Sequence, residues 1–137
     1  MSRIISIDYG LRRIGLAVSD PTQTIAGGLA TVTPNDVFTF LENYCANNLV
    51  EKFVIGLPKQ MNGADSQIAP HVRKFAETLQ KRFPVQEIVF FDERFTSVLA
   101  HKAMLEGGLR RKARRDKALV DKISATIILE EFLEFRV

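Results

Sequence analysis

The chain has a single cysteine, Cys45, among its 137 residues. One thiol excludes an internal disulfide, and with no second cysteine it cannot form a paired metal-ligand motif. Cys45 falls four residues after Leu41 in a helical pattern, which predicts a small core residue. A chain of this kind is expected in a reducing compartment, the cytoplasm.

Long apolar runs are absent as well. No stretch approaches the ~18 apolar residues that a membrane span needs, so no membrane contact is expected. Met1-Ser2-Arg3 leads directly into a strand-like pattern, and we therefore expect no signal peptide. Hydrophobic residues make up 46% of the chain, which is enough for the core of one domain over residues 1–137.

Several catalytic signatures are also missing. The sequence contains no Ser-His-Asp signature, no Walker loop and no dinucleotide fingerprint. Its two histidines, His71 and His101, have no ligand spacing to each other and are predicted to be exposed helix residues. The remaining candidates for chemistry are acidic and basic side chains.

Hydrophobic periodicity predicts an α/β fold of the order β-β-β-α-β-α-β-α-α. The predicted strands cover residues 3–8, 12–19, 25–32, 52–57 and 87–93. The predicted helices run to about 47 from a cap at Thr33 or Asn35, over 70–83, from Thr96 or Ser97 to Gly107, and over about 116–135. Short turns between the first three strands predict an antiparallel meander, to which the later strands add in parallel. The expected architecture is one mixed five-stranded sheet flanked by helices.

Two of these elements have a clear face pattern. In the first strand, Ile5 and Ile7 are expected to face one way and Ile4, Ser6 and Asp8 the other. In the helix over 70–83, helical spacing predicts a core stripe of Val72, Phe75, Ala76, Leu79 and Phe83.

Three acidic residues occupy notable positions: Asp8, Glu93 and Asp121. Asp8 and Glu93 end apolar strands, and carboxylates near a core are costly unless something compensates them. Two strand ends and a helix can converge and hold divalent metal, a pattern that suggests metal-assisted phosphodiester cleavage. Each acid also has a structural alternative: a turn aspartate, a charged strand end, and an ion pair of Asp121 with Lys117.

Asp121 is the most informative of these acids. Ala125, Ile128 and Phe132 follow it on the same helical face, so the acid heads an apolar stripe. Acids on buried faces are unusual, and this favours a functional role. For the second acid, strand alternation means that one of Asp92 and Glu93 points toward the site and the other away.

Two glycines near Asp8 indicate a tightly built site. Gly10 allows a sharp turn, and Gly15 removes a side chain where another group can approach closely. A phosphate beside Asp8 is one candidate for that group, with Arg12 and Arg13 in reach of it. The alternative is an ordinary hairpin with two exposed arginines.

Positive charge is concentrated in one segment, although the net charge of the chain is only +3. The six basic residues of that segment are Arg110, Arg111, Lys112, Arg114, Arg115 and Lys117. Such a cluster favours an anionic partner, most often phosphate backbone, and the alternative is a solvated loop.

Two other segments carry candidate substrate contacts. Lys59 and Asn62 follow the strand that ends at Leu57, and they can bind phosphate or sugar. The alternative for that segment is a plain turn. Arg94 can neutralise either of the acids that precede it.

Taken together and in order, four blocks of sequence resemble the YqgF/RuvX family over nearly the whole chain. The blocks are Asp8-Tyr9-Gly10 with Arg13-Ile14-Gly15-Leu16-Ala17, Gly56-Leu57-Pro58 with Asn62-Gly63, Asp92-Glu93-Arg94 with Thr96-Ser97, and Val120-Asp121 with Ala125 and Ile128-Leu129. The family usually has paired alanines in the last helix, where this chain has Ser124-Ala125.

The resemblance implies a ribonuclease H-like fold with Asp8, Glu93 and Asp121 as metal-binding carboxylates. It implies two-metal hydrolysis in which Asp8 bridges ions roughly 4 Å apart. Mg²⁺ is the implied ion, with Mn²⁺ as a substitute, because the ligands are all oxygens. The basic segment at 110–117 would hold substrate backbone beside Asp121.

The predicted function is a metal-dependent nuclease, and the family is assigned to maturation of the 5′ end of 16S rRNA precursor. Its other assignment, resolution of Holliday junctions in DNA, is the first alternative. A homodimer with two sites at a fixed spacing would favour it, and the sequence leaves monomer and homodimer open. A second alternative is a non-catalytic RNA-binding factor for ribosome assembly. A sugar or acetate phosphotransferase ranks last, since the chain is short for two domains.

Overall fold

The protein is represented by a computed structural model that describes residues 1–57, 67–92 and 117–136. Its strands are β1 (Arg3–Asp8), β2 (Ile14–Ser19), β3 (Ala26–Val32), β4 (Val50–Leu57) and β5 (Glu87–Asp92). Its helices are α1 (Val37–Asn47), α2 (Ala69–Arg82) and α3 (Lys117–Phe135). These elements confirm the predicted order, with about half of the ends shifted, in most cases by one or two residues. The helix predicted to begin at Thr96 or Ser97 lies outside the described residues.

The five strands form one sheet in the order β3-β2-β1-β4-β5. Strands β1, β2 and β3 pair antiparallel, while β4 pairs parallel to β1 and β5 parallel to β4. The predicted mixed sheet is therefore confirmed. Because β1, β4 and β5 run in the same direction, their carboxyl ends meet at one edge of the sheet. That edge carries Asp8, Leu57 and Asp92.

Side-chain alternation in β1 separates two cores, as predicted. Ile5 and Ile7 are fully buried in the cluster beneath α1 and α2. Ile4 is fully buried on the opposite face, where it joins Ala125 and Ile128 of α3. Ser6 lies on the α3 face too, because its Oγ donates to the backbone oxygen of Ala125 at 2.6 Å. Asp8 continues this face at the end of the strand.

Helix α2 confirms the apolar stripe predicted for it. Pro70 lies in its first turn, where a missing N–H has no cost. The buried residues of the stripe are Val72, Phe75, Ala76, Leu79 and Phe83.

Helix α1 begins later than predicted. The N-cap residue is Asp36, and neither Thr33 nor Asn35 caps the helix with its side chain. The backbone oxygen of Thr33 accepts the N–H groups of Asp36 and Val37, both at 3.0 Å. The turn thus satisfies these donors with a carbonyl, which removes the need for a hydroxyl cap.

Cys45 packs against the core cluster beneath α1 and α2, as predicted, although it is only half-buried. Desolvation by burial raises the pKa of its thiol. None of the helices in the described ranges is long and apolar enough to cross a membrane.

Candidate active site

The sheet register and one glycine bring Asp8 and Asp121 together. Asp8 is the cross-strand partner of Gly15 in the β1–β2 hairpin. Helix α3 crosses β2 at Gly15 so closely that a Cβ there would lie 2.1 Å from the backbone oxygen of Asp121. The group that approaches Gly15 is therefore a helix backbone and not the phosphate that was one candidate for it. A residue without a side chain lets Asp121 reach the strand end that carries Asp8.

Both carboxylates line one cavity of about 410 Å³. Its walls are residues 8–13, Ile68, Lys117 and Asp121. The structure thus brings together Asp8 and Asp121 and places three of the predicted basic contacts, Arg12, Arg13 and Lys117, around them. These residues come from one loop and the first turns of a helix more than a hundred positions later in the chain.

Asp121 forms an ion pair with Arg13. The Nε of Arg13 donates to Oδ2 of Asp121 at 2.7 Å, and the two side chains are 38% and 19% exposed. The alternative inferred from the sequence was an ion pair of Asp121 with Lys117. In the structure Asp121 instead pairs with Arg13 of the β1–β2 loop. The guanidinium has further N–H donors, so this bond leaves Arg13 able to contact phosphate as well.

Packing of β5 identifies the face on which Asp92 lies. Phe91 contacts Phe132 of α3 with ring centroids 6.1 Å apart, so it faces the same side as Asp8. Phe90 faces α2, where the guanidinium of Arg73 lies 5.7 Å from its ring centroid. By alternation Asp92 shares the α2 face with Phe90. Of the adjacent pair of acids, Asp92 is therefore on the face opposite to Asp8.

Many predicted site residues lie outside the described residues: Lys59, Asn62, Glu93, Arg94, Arg110, Arg111, Arg114 and Arg115. Their roles stay predictions. Within residues 1–57, 67–92 and 117–136, no three His, Cys, Asp or Glu side chains are grouped to hold a metal ion. Asp8 and Asp121 supply carboxylate oxygens on one cavity, a donor type that fits Mg²⁺ or Mn²⁺.

Tyr9 is a residue of the candidate site that the sequence did not single out. It lines the cavity directly after Asp8, and its ring packs on Phe75 of α2 with centroids 4.9 Å apart. The sequence showed it only as part of a hairpin turn. Its position directly after Asp8, a candidate metal ligand, was the feature of the sequence that could have indicated a place in the site.

Comparison with known proteins places these observations in a family. The model of the RuvX family, described as Holliday junction resolvase, matches residues 2–135. A protein of Bacteroides thetaiotaomicron is 54% identical over 98% of this chain and 97% of its own length. A protein of Porphyromonas gingivalis is 48% identical with the same coverage. Both relatives carry the name "Putative pre-16S rRNA nuclease".

Among solved structures, T. thermophilus RuvC in complex with a Holliday junction substrate superposes with a TM-score of 0.53. The match covers 93% of this chain and 92% of RuvC at 17% identity. A likeness at that identity shows the fold alone, and it confirms the ribonuclease H-like fold. With its sequence matched over residues 2–135 and its fold shared with RuvC, the chain belongs to the RuvX family of nucleases.

Proposed function

We propose that this nuclease processes the 5′ end of 16S rRNA precursor with divalent metal held by Asp8, Glu93 and Asp121. The observation that carries the proposal is the meeting of Asp8 and Asp121 on one cavity. The relatives named for pre-16S rRNA support the choice of substrate. Ribosomal RNA maturation goes with a cytoplasmic location.

Three carboxylates would supply an all-oxygen set of ligands for Mg²⁺, with Mn²⁺ as a substitute. The bound ion supplies Lewis-acid polarisation of the phosphodiester and a lowered pKa for water. The packing of β5 supports Glu93 as the third ligand, because Phe91 faces α3 and Asp92 faces α2. Continued alternation would give residue 93 the same face as Asp8.

The basic residues of the cavity would hold the substrate. Arg12 and Lys117 are exposed at the cavity wall and would contact phosphates, while Arg13 also holds the carboxylate of Asp121. Phosphate contacts of this kind position a strand without reading its sequence. Further predicted contacts are Lys59, Asn62, Arg94, Arg110, Arg111, Arg114 and Arg115.

Resolution of branched DNA is the second candidate function. The family description, Holliday junction resolvase, favours it. A four-way junction needs paired cuts, so a homodimer would favour this function, whereas cleavage of an rRNA precursor suits a monomer or a homodimer. A non-catalytic RNA-binding factor is the remaining alternative, and it predicts that substitution of the acids leaves function intact.

The test is cleavage by wild type and by Asp8→Asn and Asp92→Asn variants, with Mg²⁺ or Mn²⁺. The substrates are 16S rRNA precursor and a synthetic four-way DNA junction. We expect Asp8→Asn to abolish cleavage of the precursor while the circular dichroism spectrum is unchanged. Asp92→Asn is the matched control, since it changes an acid at the same sheet edge on the opposite face.

The outcomes separate the candidates. Acid-dependent cleavage of the junction instead of the precursor would favour DNA recombination. An Asp8→Asn variant that cleaves at the wild-type rate would refute the metal site. A wild type that binds precursor but cuts neither substrate would support the assembly-factor alternative.

A further inference from the structure

We propose that a groove between the β1–β2 loop and helix α2 binds a single strand of nucleic acid next to the candidate active site. The inference deepens the proposed function and depends on a nucleic-acid substrate. The groove has a volume of about 330 Å³, and its main lining residues are Tyr9, Phe38, His71, Lys74, Phe75 and Thr78. Of these residues, Tyr9 alone also lines the cavity of Asp8 and Asp121.

Continuity with the catalytic cavity is the first argument. Tyr9 lines both the cavity of Asp8 and the groove, so a strand leaving the cavity at this point meets the groove next. Lys117 lines the cavity as well, in the first turn of α3. The candidate metal ligands thus have a cation from α3 beside them, and Lys74 of α2 lines the adjoining groove.

The charge of α2 is the second argument. This helix carries four Lys or Arg residues and one glutamate, a net charge of +3 that equals the net charge of the whole chain. Lys74 is exposed on the groove side and, within the described residues, its ammonium makes no ion pair. Concentrated positive charge attracts a phosphate backbone. Lys74 is therefore available for a phosphate of the bound strand.

The aromatic floor is the third argument. The rings of Tyr9 and Phe38 pack on Phe75 with centroid separations of 4.9 and 5.4 Å. Phe75 is only 7% exposed, so it supports the half-buried ring of Tyr9 from the protein side. Unpaired bases stack on aromatic side chains of this kind, whereas bases inside a duplex cannot. The aromatic floor and Lys74 together favour binding of a single strand over binding of a duplex.

Fluorescence anisotropy of a labelled single-stranded RNA, titrated with wild-type protein in EDTA to prevent cleavage, tests the groove. We expect Lys74→Gln to weaken binding severalfold and to lower the salt slope by about 0.7, the value for one phosphate contact on a single strand. Lys81→Gln is the matched control, because it removes the same charge from an exposed position of α2 outside the groove. This control should change binding far less.

The aromatic contact is tested by Tyr9→Leu and Tyr9→Phe. Loss of one base–aromatic stack is worth about 1–3 kcal/mol, so Tyr9→Leu should weaken binding by about fivefold or more. Tyr9→Phe keeps the ring and should bind as wild type does. Thermal melts of both variants show whether the fold is kept, and the exposed Lys74→Gln variant tests the groove without affecting the core.

The outcomes distinguish the groove from the proposed function. Equal losses in Lys74→Gln and Lys81→Gln, or wild-type binding by Tyr9→Leu, would overturn the groove while the nuclease proposal stands. The groove would also be overturned if Tyr9→Leu weakened binding of an RNA duplex as much as it weakened binding of the single strand. Titration with single-stranded RNA and with single-stranded DNA of the same sequence shows which of the two the groove binds. A loss of affinity in Tyr9→Leu with either strand supports the groove. Failure of the wild type to bind any nucleic acid would overturn the proposed function itself.

Discussion

Gly15 lies where α3 crosses β2, and its missing side chain lets the backbone of Asp121 lie against the strand residue that pairs with Asp8. In Gly15→Ala the new Cβ would be 2.1 Å from the oxygen and 2.5 Å from the carbon of the Asp121 carbonyl. Because both atoms are backbone, the helix must shift. We expect a loss of about 1–3 kcal/mol or more in the free energy of unfolding, together with a loss of cleavage. Urea denaturation measures the first quantity.

Gly27→Ala is the control for this substitution. A Cβ at Gly27 has no heavy atom within 4 Å, so the variant should differ little from wild type in both assays. Equal stability of Gly15→Ala and Gly27→Ala would mean that α3 does not pack against Gly15 in solution.

The ion pair between Arg13 and Asp121 leads to a second prediction at this scale. Arg13→Gln removes the positive charge that lies 2.7 Å from the carboxylate. Since Arg13 is over a third exposed, solvent screens the pair and we expect a loss of about 1 kcal/mol or less in unfolding free energy. Arg12→Gln, at an exposed neighbouring position, should cost less. The loss measured for Arg13→Gln should shrink in high salt, and a loss independent of salt would contradict an electrostatic contact.

At the scale of elements, the turn between β2 and β3 is organised by Asp20. Its carboxylate accepts N–H groups of Thr22, Thr24 and Ile25 at 3.1, 2.8 and 2.7 Å. The hydroxyl of Thr22 donates to the same group, and this bond followed by the Ile25 amide holds the pKa of Asp20 well below its ordinary value of 3.8. Hydrogen bonds to the ionised form have this effect.

A depressed pKa in the folded state fixes the sign of the pH dependence. The contribution of Asp20 to stability is present above the unfolded pKa, near 3.8, and is lost as pH falls through the lower folded pKa. Asp20→Asn should therefore be less stable than wild type near neutral pH, with a difference that narrows as the pH falls below that value. Urea midpoints across an acid pH series measure the difference. A constant difference would contradict the role of the charge.

Across the whole molecule, the sheet carries a separate apolar cluster on each face, and α3 covers one of them alone in the described residues. Ile128 of α3 and Leu79 of α2 are each fully buried, on opposite faces. Ile128→Ala and Leu79→Ala should each cost about 2–5 kcal/mol of unfolding free energy through the cavity left behind. Because both clusters share the same five strands, each variant should still unfold in a single transition.

Phe135→Ala is the control for these core substitutions, since Phe135 is 56% exposed at the end of α3. Its stability should lie much closer to that of wild type. Calorimetry that showed two transitions, with only one shifted in Ile128→Ala, would mean that α3 and its cluster unfold separately from the rest of the sheet.

Much of the fold followed from local patterns. The period-two alternation of β1 separated Ile5 and Ile7 from Ile4 and Ser6, and the helical stripe of α2 was predicted residue for residue. The start of α1 was less predictable, because a backbone carbonyl of Thr33 substitutes for the hydroxyl cap that the sequence indicated. Within α3, the apolar stripe below Asp121 correctly indicated a buried face.

By itself, then, the sequence determined the order of strands and helices, which residues of each strand share a face and the acids worth considering, since these depend on neighbours a few positions away. Only the tertiary structure decided that a helix backbone fills the space at Gly15, that Arg13 pairs with Asp121 and that Asp92 faces away from Asp8. Those facts depend on how α3 and α2 pack across the sheet. Contacts between residues a hundred positions apart in the chain leave no periodic signal in the sequence.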